Sequence, residues 1–207
     1  MVVICPKSIA EQQVVYVDNT PPENYVDIGK PRFYDDEGIW YITTDTTIWI
    51  NATENYSDAN ACDSGCSYLH WEAYIWNESK DDWELCNVSV WNESLNEWEN
   101  GSKGNETSNT LKFHFNEECH HKIVYYGVDN VGNYARQEIE FKVDDTPPSG
   151  YVSIGIPSAG NHLTTRTDIQ IIATDGGECP VGGYYIRYNI WNESDGWMHD
   201  IDDPQNW

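Results

Sequence analysis

Val143-Asp144-Asp145-Thr146-Pro147-Pro148 repeats, with one substitution, Val17-Asp18-Asn19-Thr20-Pro21-Pro22, which stands 126 positions earlier (147 − 21). The residues after each copy repeat as well. Tyr25-Val26-Asp27-Ile28-Gly29-Lys30-Pro31 is answered by Tyr151-Val152-Ser153-Ile154-Gly155-Ile156-Pro157, and the Thr43–Thr53 stretch by Thr164–Thr174. Ile75-Trp76-Asn77-Glu78-Ser79 returns as Ile190-Trp191-Asn192-Glu193-Ser194. Self-similarity in fixed order is the signature of a chain built from repeated units.

Pro-Pro donates no ladder hydrogen bonds and forces the preceding residue into extended backbone, so each Thr-Pro-Pro marks a junction. Residues 20–145 then form one complete unit, of ordinary domain size. Residues 146–207 form an incomplete second unit without a counterpart of residues 119–145. Residues 1–19 match only the end of a unit, Gln12 to Asp18 aligning with Glu138 to Asp144. They read as the terminal strand of a preceding unit or of a neighbouring chain.

Composition supplies the class. Hydrophobic residues make up 39% and aromatics 14%, and the Trp, Tyr and Thr content favours strands over helices. A net charge of −24 excludes nucleic acid as a partner, because phosphate is repelled. No run of 18 apolar residues marks a membrane-spanning helix.

Period-two alternation recurs along the chain. Ile48, Ile50 and Ala52 share one face and Trp49, Asn51 and Thr53 the other; Leu69, Trp71, Ala73 and Ile75 alternate with Tyr68, His70, Glu72, Tyr74 and Trp76. Both are half-buried antiparallel strands. Strands are expected over Trp83–Trp91 and Thr110–Phe115, with a long exposed loop over Asn92–Asn109. His121–Val128 and Arg136–Val143 read as a hairpin around Asp129-Asn130-Val131-Gly132-Asn133, whose Asn and Gly supply the turn. The expected fold is all-β, an antiparallel immunoglobulin-like sandwich repeated in tandem, with Ile48, Ile50, Leu69, Trp71, Ile75, Tyr125 and Val128 inside.

The run Ile123-Val124-Tyr125-Tyr126-Gly127-Val128-Asp129-Asn130-Val131-Gly132-Asn133, followed by a strand and Val-Asp-Asp-Thr-Pro-Pro, resembles the last two strands of tandem immunoglobulin-like repeats in archaeal and bacterial secreted and cell-surface proteins. The resemblance covers residues 20–145 fully and the flanking segments in part. It implies a structural or adhesive spacer, sometimes appended to a protease or glycosidase, with no catalytic residue to carry over. The Trp-rich insertion over residues 81–108 has no counterpart in the shorter members.

Eight of the 19 asparagines stand in Asn-x-Ser/Thr: Asn51, Asn55, Asn77, Asn87, Asn92, Asn100, Asn105 and Asn192. Such density marks N-linked glycosylation of an extracellular chain. In that oxidising setting the cysteines pair, and four of the six, Cys62, Cys66, Cys86 and Cys119, lie in the complete unit. Cys119 is expected to bond Cys66 or Cys62, tying two neighbouring core strands, with the remaining one bonded to Cys86. Cys5 and Cys179 are left to pair between chains. The competing zinc reading of Cys62, Cys66, Cys119, His120 and His121 lacks paired Cys-x-x-Cys knuckles.

A calcium site is the one cofactor the residues suggest. Asp18, Asp129, Asp144 and Asp145, with Asn19 and Asn130, offer the oxygen ligands calcium takes, although Asp and Asn are also plain turn formers. None of the histidines, His70, His114, His120, His121, His162 and His199, stands in a nucleophile motif. The chain therefore reads as a non-enzymatic extracellular structural or adhesive repeat, with copies of itself or adjacent repeats as partners, assembling head to tail when Val14–Val17 of one chain completes residues 146–207 of the next. The alternative is a carbohydrate-binding or accessory module of a secreted hydrolase, with Trp49, Trp76, Trp83, Trp91, Trp98 and Trp191 as sugar platforms.

Overall fold

The computed structural model describes residues 17–54, 64–160, 162–177, 179–180, 186, 188–194 and 196–199. Among them there is no helix. The first unit holds twelve strands: β1 (Glu23–Ile28), β2 (Arg32–Tyr34), β3 (Trp40–Ile42), β4 (Ile48–Thr53), β5 (Cys66–Asn77), β6 (Asp82–Leu85), β7 (Val88–Asn92), β8 (Glu97–Gly101), β9 (Lys103–Glu106), β10 (Thr110–Phe115), β11 (Cys119–Asp129) and β12 (Gln137–Val143). One sheet runs β1-β4-β10-β7-β8; the other runs β2-β3-β12-β11-β5-β6, with β9 also paired to β5.

This is the immunoglobulin order. β1, β4, β10 and β7 take the A, B, E and D places, and β5, β11 and β12 take C, F and G. The sandwich is antiparallel except where β3 pairs in parallel with β12. Alternation places the core as the sequence reading expects: Ile48, Ile50, Leu69, Trp71, Tyr125 and Val128 are buried and Ile75 is partly so. Phe113, Phe115 and Phe141 meet at centroid distances of 5.6 and 5.3 Å and fill the middle. The sheets approach closely at Gly127, where a β-carbon would stand 2.6 Å from the Ala52 methyl.

Two expectations are corrected. Trp83–Trp91 is not one strand: the chain changes sheet at Cys86 and Asn87, so β6 and β7 lie in opposite layers. Asn92–Asn109 is not a loop either. β8 continues the first sheet and β9 joins the second, so the segment closes the edge of the sandwich over Trp71, whose indole packs on Gly101 and Gly104.

The second unit contributes β13 (Ser149–Ile154), β14 (Ser158–Ala159), β15 (His162–Leu163), β16 (Ile169–Thr174), β17 (Ile190–Asn192) and β18 (Gly196–His199). Pairing of β13 with β16 follows that of β1 with β4. Local contacts recur too. Gly29 N–H donates to the Thr47 carbonyl and Gly155 N–H to that of Asp168, both at 2.8 Å. The Thr46 hydroxyl donates to the Pro31 carbonyl and the Thr167 hydroxyl to that of Pro157.

Candidate functional site

Antiparallel pairing decides the cysteines. β5 and β11 are neighbours, as expected, but they run in opposite directions, so Cys66 lies opposite Asp129 and Cys119 lies at the far end of the sandwich. About ten residues of strand, roughly 33 Å, separate them. Cys119 is instead bonded to Cys179 of the second unit, within the same chain, which corrects both the expected intra-unit pairing and the inter-chain role of Cys179. Cys66 and Cys86 are free thiols. Cys5 and Cys62 lie outside the described residues. The zinc set is likewise divided, with Cys66 far from Cys119, His120 and His121.

Cys86 is buried beside His121, its Sγ 3.6 Å from Nδ1. The His121 Nε2 is 3.0 and 3.1 Å from the carbonyls of Glu117 and Glu118, so Nε2 carries the proton and Nδ1 faces the thiol as acceptor. Burial pushes the Cys86 thiol up to about 12 and holds the His121 imidazole below its ordinary 6.5. A protonated thiol against a neutral imidazole is a packing pair and not a nucleophile. Between pH 6.5 and the lowered folded value, the unfolded chain binds one proton more than the folded one, so stability falls as pH drops through that window. Urea titrations at about pH 7.5 and about pH 5.5 should show this loss, and His121→Gln should flatten it.

The proposed calcium ligands are split between the two ends. Asp18 and Asp129 are bridged by one amide: Asn133 Nδ2 donates to the Asp18 carbonyl at 3.1 Å and to the Asp129 carboxylate at 2.7 Å. Asp144 and Asp145 lie at the opposite end, where Asp145 accepts the Thr44 N–H at 2.9 Å and donates its own N–H to Glu118 at 3.0 Å. The carboxylates also have other work. Asp129 Oδ1 accepts from the N–H groups of Val131, Gly132 and Asn133, at 2.9, 2.6 and 2.8 Å. Asp18 accepts from the N–H groups of Thr20 and Ser64, which hold its carboxyl below the usual range. Among the described residues no group of three or more His, Cys, Asp or Glu is arranged for a metal.

The tryptophans are organised by a hairpin that sequence reading only half recognised. Trp-Asn-Glu-Ser opens three hairpins, each closed by a second Trp: Trp76↔Trp83, Trp91↔Trp98 and Trp191↔Trp197. In the first two, the Asn carboxamide oxygen accepts two turn N–H groups and its Nδ2 donates to a glutamate, Asn77 to Glu84 at 2.8 Å and Asn92 to Glu99 at 2.7 Å. Asp81 and Asn96 then take positive φ, 53° and 55°. Asn77 and Asn92 are thus turn-forming residues, which explains the recurrence of this sequon. Asn92→Ala should cost about 1–2 kcal/mol in a thermal melt, since two turn N–H groups lose their acceptor.

Of the other acceptor asparagines, Asn87, Asn100 and Asn105 are exposed, and half-buried Asn51 accepts from the Thr110 hydroxyl at 2.9 Å. Asn55 and the side chain of Asn192 lie outside the described residues.

Both outer faces of the first unit carry a lysine among tryptophans. On one, Lys112 Nζ sits 4.5 Å from the Trp91 ring centroid and 5.2 Å from that of Trp98, with His114 4.6 Å from Trp98. On the other, Lys122 lies 4.4 Å over Trp83, which meets Trp76 at 5.4 Å and His120 at 5.0 Å. Next to this second cluster, Trp76, Glu78, His120 and Lys142 line a cleft of about 590 Å³ together with Cys119, Cys179 and Pro180. No protein family model matches the chain, and no curated protein or solved structure does.

Proposed function

We propose that the chain is a stretch of a tandem array of immunoglobulin-like units in an extracellular structural or adhesive glycoprotein, as its Val-Asp-x-Thr-Pro-Pro junctions suggest. The observation that carries this reading is the clip between units. Glu118 Oε1 accepts from the Asp145 N–H and the Thr146 hydroxyl, both at 3.0 Å; Asp144 accepts the Thr146 N–H at 2.9 Å; and Cys119 is bonded to Cys179. A junction fixed by side chains and a covalent bridge makes a stiff spacer, where a flexible linker would have Gly and Ser. The titratable groups of the core pack and hold turns, which fits a structural role.

Apolar residues of the second unit support adjoining strands. Ile154, Ile169 and Ile171 are 47, 56 and 40% exposed, whereas their counterparts Ile28, Ile48 and Ile50 are buried; Val17 is 68% exposed against buried Val143. Neighbouring units, in the same polypeptide or head to tail in a second copy, cover such faces by strand addition. Labelling of intact producing cells with a membrane-impermeant amine reagent tests the location, and X-ray scattering before and after disulfide reduction tests the stiffness. Protection of the chain until lysis would overturn the first, and unchanged scattering the second.

A further inference from the structure

Trp76, His120 and Lys142 stand side by side because their strands are hydrogen-bonded neighbours. His120 is opposite Lys142, and Trp76 is one step beyond the His121–Ile75 pair. Their side chains point outward and form a floor. Glu78, from the adjoining hairpin turn, and the second unit's Cys179 and Pro180 complete the lining, with Cys179 held there by the bridge to Cys119. Both units thus contribute to the lining of the cleft.

Trp76 differs from the other three tryptophans paired in the first unit. Lysines lie over the rings of Trp83, Trp91 and Trp98, but among the described residues no cation lies over Trp76. Its ring is fixed edge-on by Trp83, and it lines the cleft. His120 is engaged with Glu140 at 2.8 Å. Lys142 uses one N–H toward the Tyr41 hydroxyl at 3.4 Å, leaving two donors, and Glu78 supplies an acceptor.

We propose that this cleft binds a neutral oligosaccharide, with one pyranose ring laid on Trp76 and its hydroxyls hydrogen-bonded by Lys142 and Glu78. A sugar ring has an apolar C–H face and a polar rim, the two surfaces this floor and this lining match. The volume falls within the range of small-ligand sites. A net charge of −24 repels polyanions, which excludes nucleic acid and acidic polysaccharides and leaves an uncharged chain. The inference goes beyond the array reading and does not depend on it.

The test is calorimetric titration of the disulfide-intact chain with xylohexaose, cellohexaose, mannohexaose and chitohexaose. At least one is expected to bind. Trp76→Ala should weaken it by about tenfold or more, a difference of about 1.4 kcal/mol. Trp76→Phe should retain most of the binding, Glu78→Ala should weaken it several-fold without touching the core, and Trp98→Ala on the opposite face should leave it unchanged. Reduction of the bridge should weaken it as well. Absence of binding by all four probes, equal binding by Trp76→Ala, or loss through Trp98→Ala would each overturn the proposal.

Discussion

Trp71→Ala is expected to destabilise the first unit by about 3–5 kcal/mol, the range for a large aromatic removed from a packed core. Trp71 is 3% exposed on β5, the C-strand place that a buried tryptophan takes in immunoglobulin domains. Its Nε1–H donates to Glu106 at 3.0 Å, and its ring lies against the backbone of Gly101 and Gly104. A β-carbon on Gly104 would sit 3.0 Å from Nε1, so the glycine makes room for the indole. Loss of the ring removes core burial and the support beneath the β8–β9 crossover together. A double-mutant cycle distinguishes this from generic core loss: Gly104→Ala should destabilise the native chain but be nearly neutral beside Trp71→Ala. Additive effects in urea unfolding would contradict the edge-closing role.

Much of the sandwich was legible because period-two alternation reports burial directly: β4, β5, β10, β11 and β12 fall where the apolar residues predict. The Asp129–Asn133 turn was legible in place and in its Gly132, which takes φ of 98°, but not in its Asn residues: neither Asn130 nor Asn133 takes positive φ, and the Asp129 carboxylate gathers the turn N–H groups. What sequence could not carry was layer identity. Cys86 and Asn87 interrupt no apolar pattern, yet the chain changes sheet there. β8 and β9 have compositions that read as loop, Glu97–Gly101 and Lys103–Glu106, and are held by the Trp91–Trp98 pair and by pairing with β5. The outward Trp residues were legible as outward, but not the lysines that cover three of them. The disulfide failed for a long-range reason, since strand adjacency fixes which strands meet and only antiparallel direction fixes which ends.

The second large effect lies at that disulfide. Replacing Cys119 and Cys179 together by serine removes a bridge spanning 60 residues, worth about 4 kcal/mol in the chain-entropy model. Cys119 also takes φ of 100°, where a residue with a β-carbon pays about 1–3 kcal/mol. Glycine would occupy that angle without strain, so the position holds cysteine at a conformational cost that its sulfur offsets. The loss should not be shared evenly. The first unit keeps its core through Phe113, Phe115, Phe141 and Trp71, a core cluster that does not include Cys119 or Cys179. The second unit has an exposed apolar face and is tied back at Cys179 and by Gly177 packing on Thr146. Hydrogen exchange should therefore rise across β13 and β16 in the double serine variant while β5 and β11 remain protected. Equal protection of β13 and β16 with and without the bridge would mean that the junction hydrogen bonds alone hold the second unit, and that the disulfide adds nothing to it.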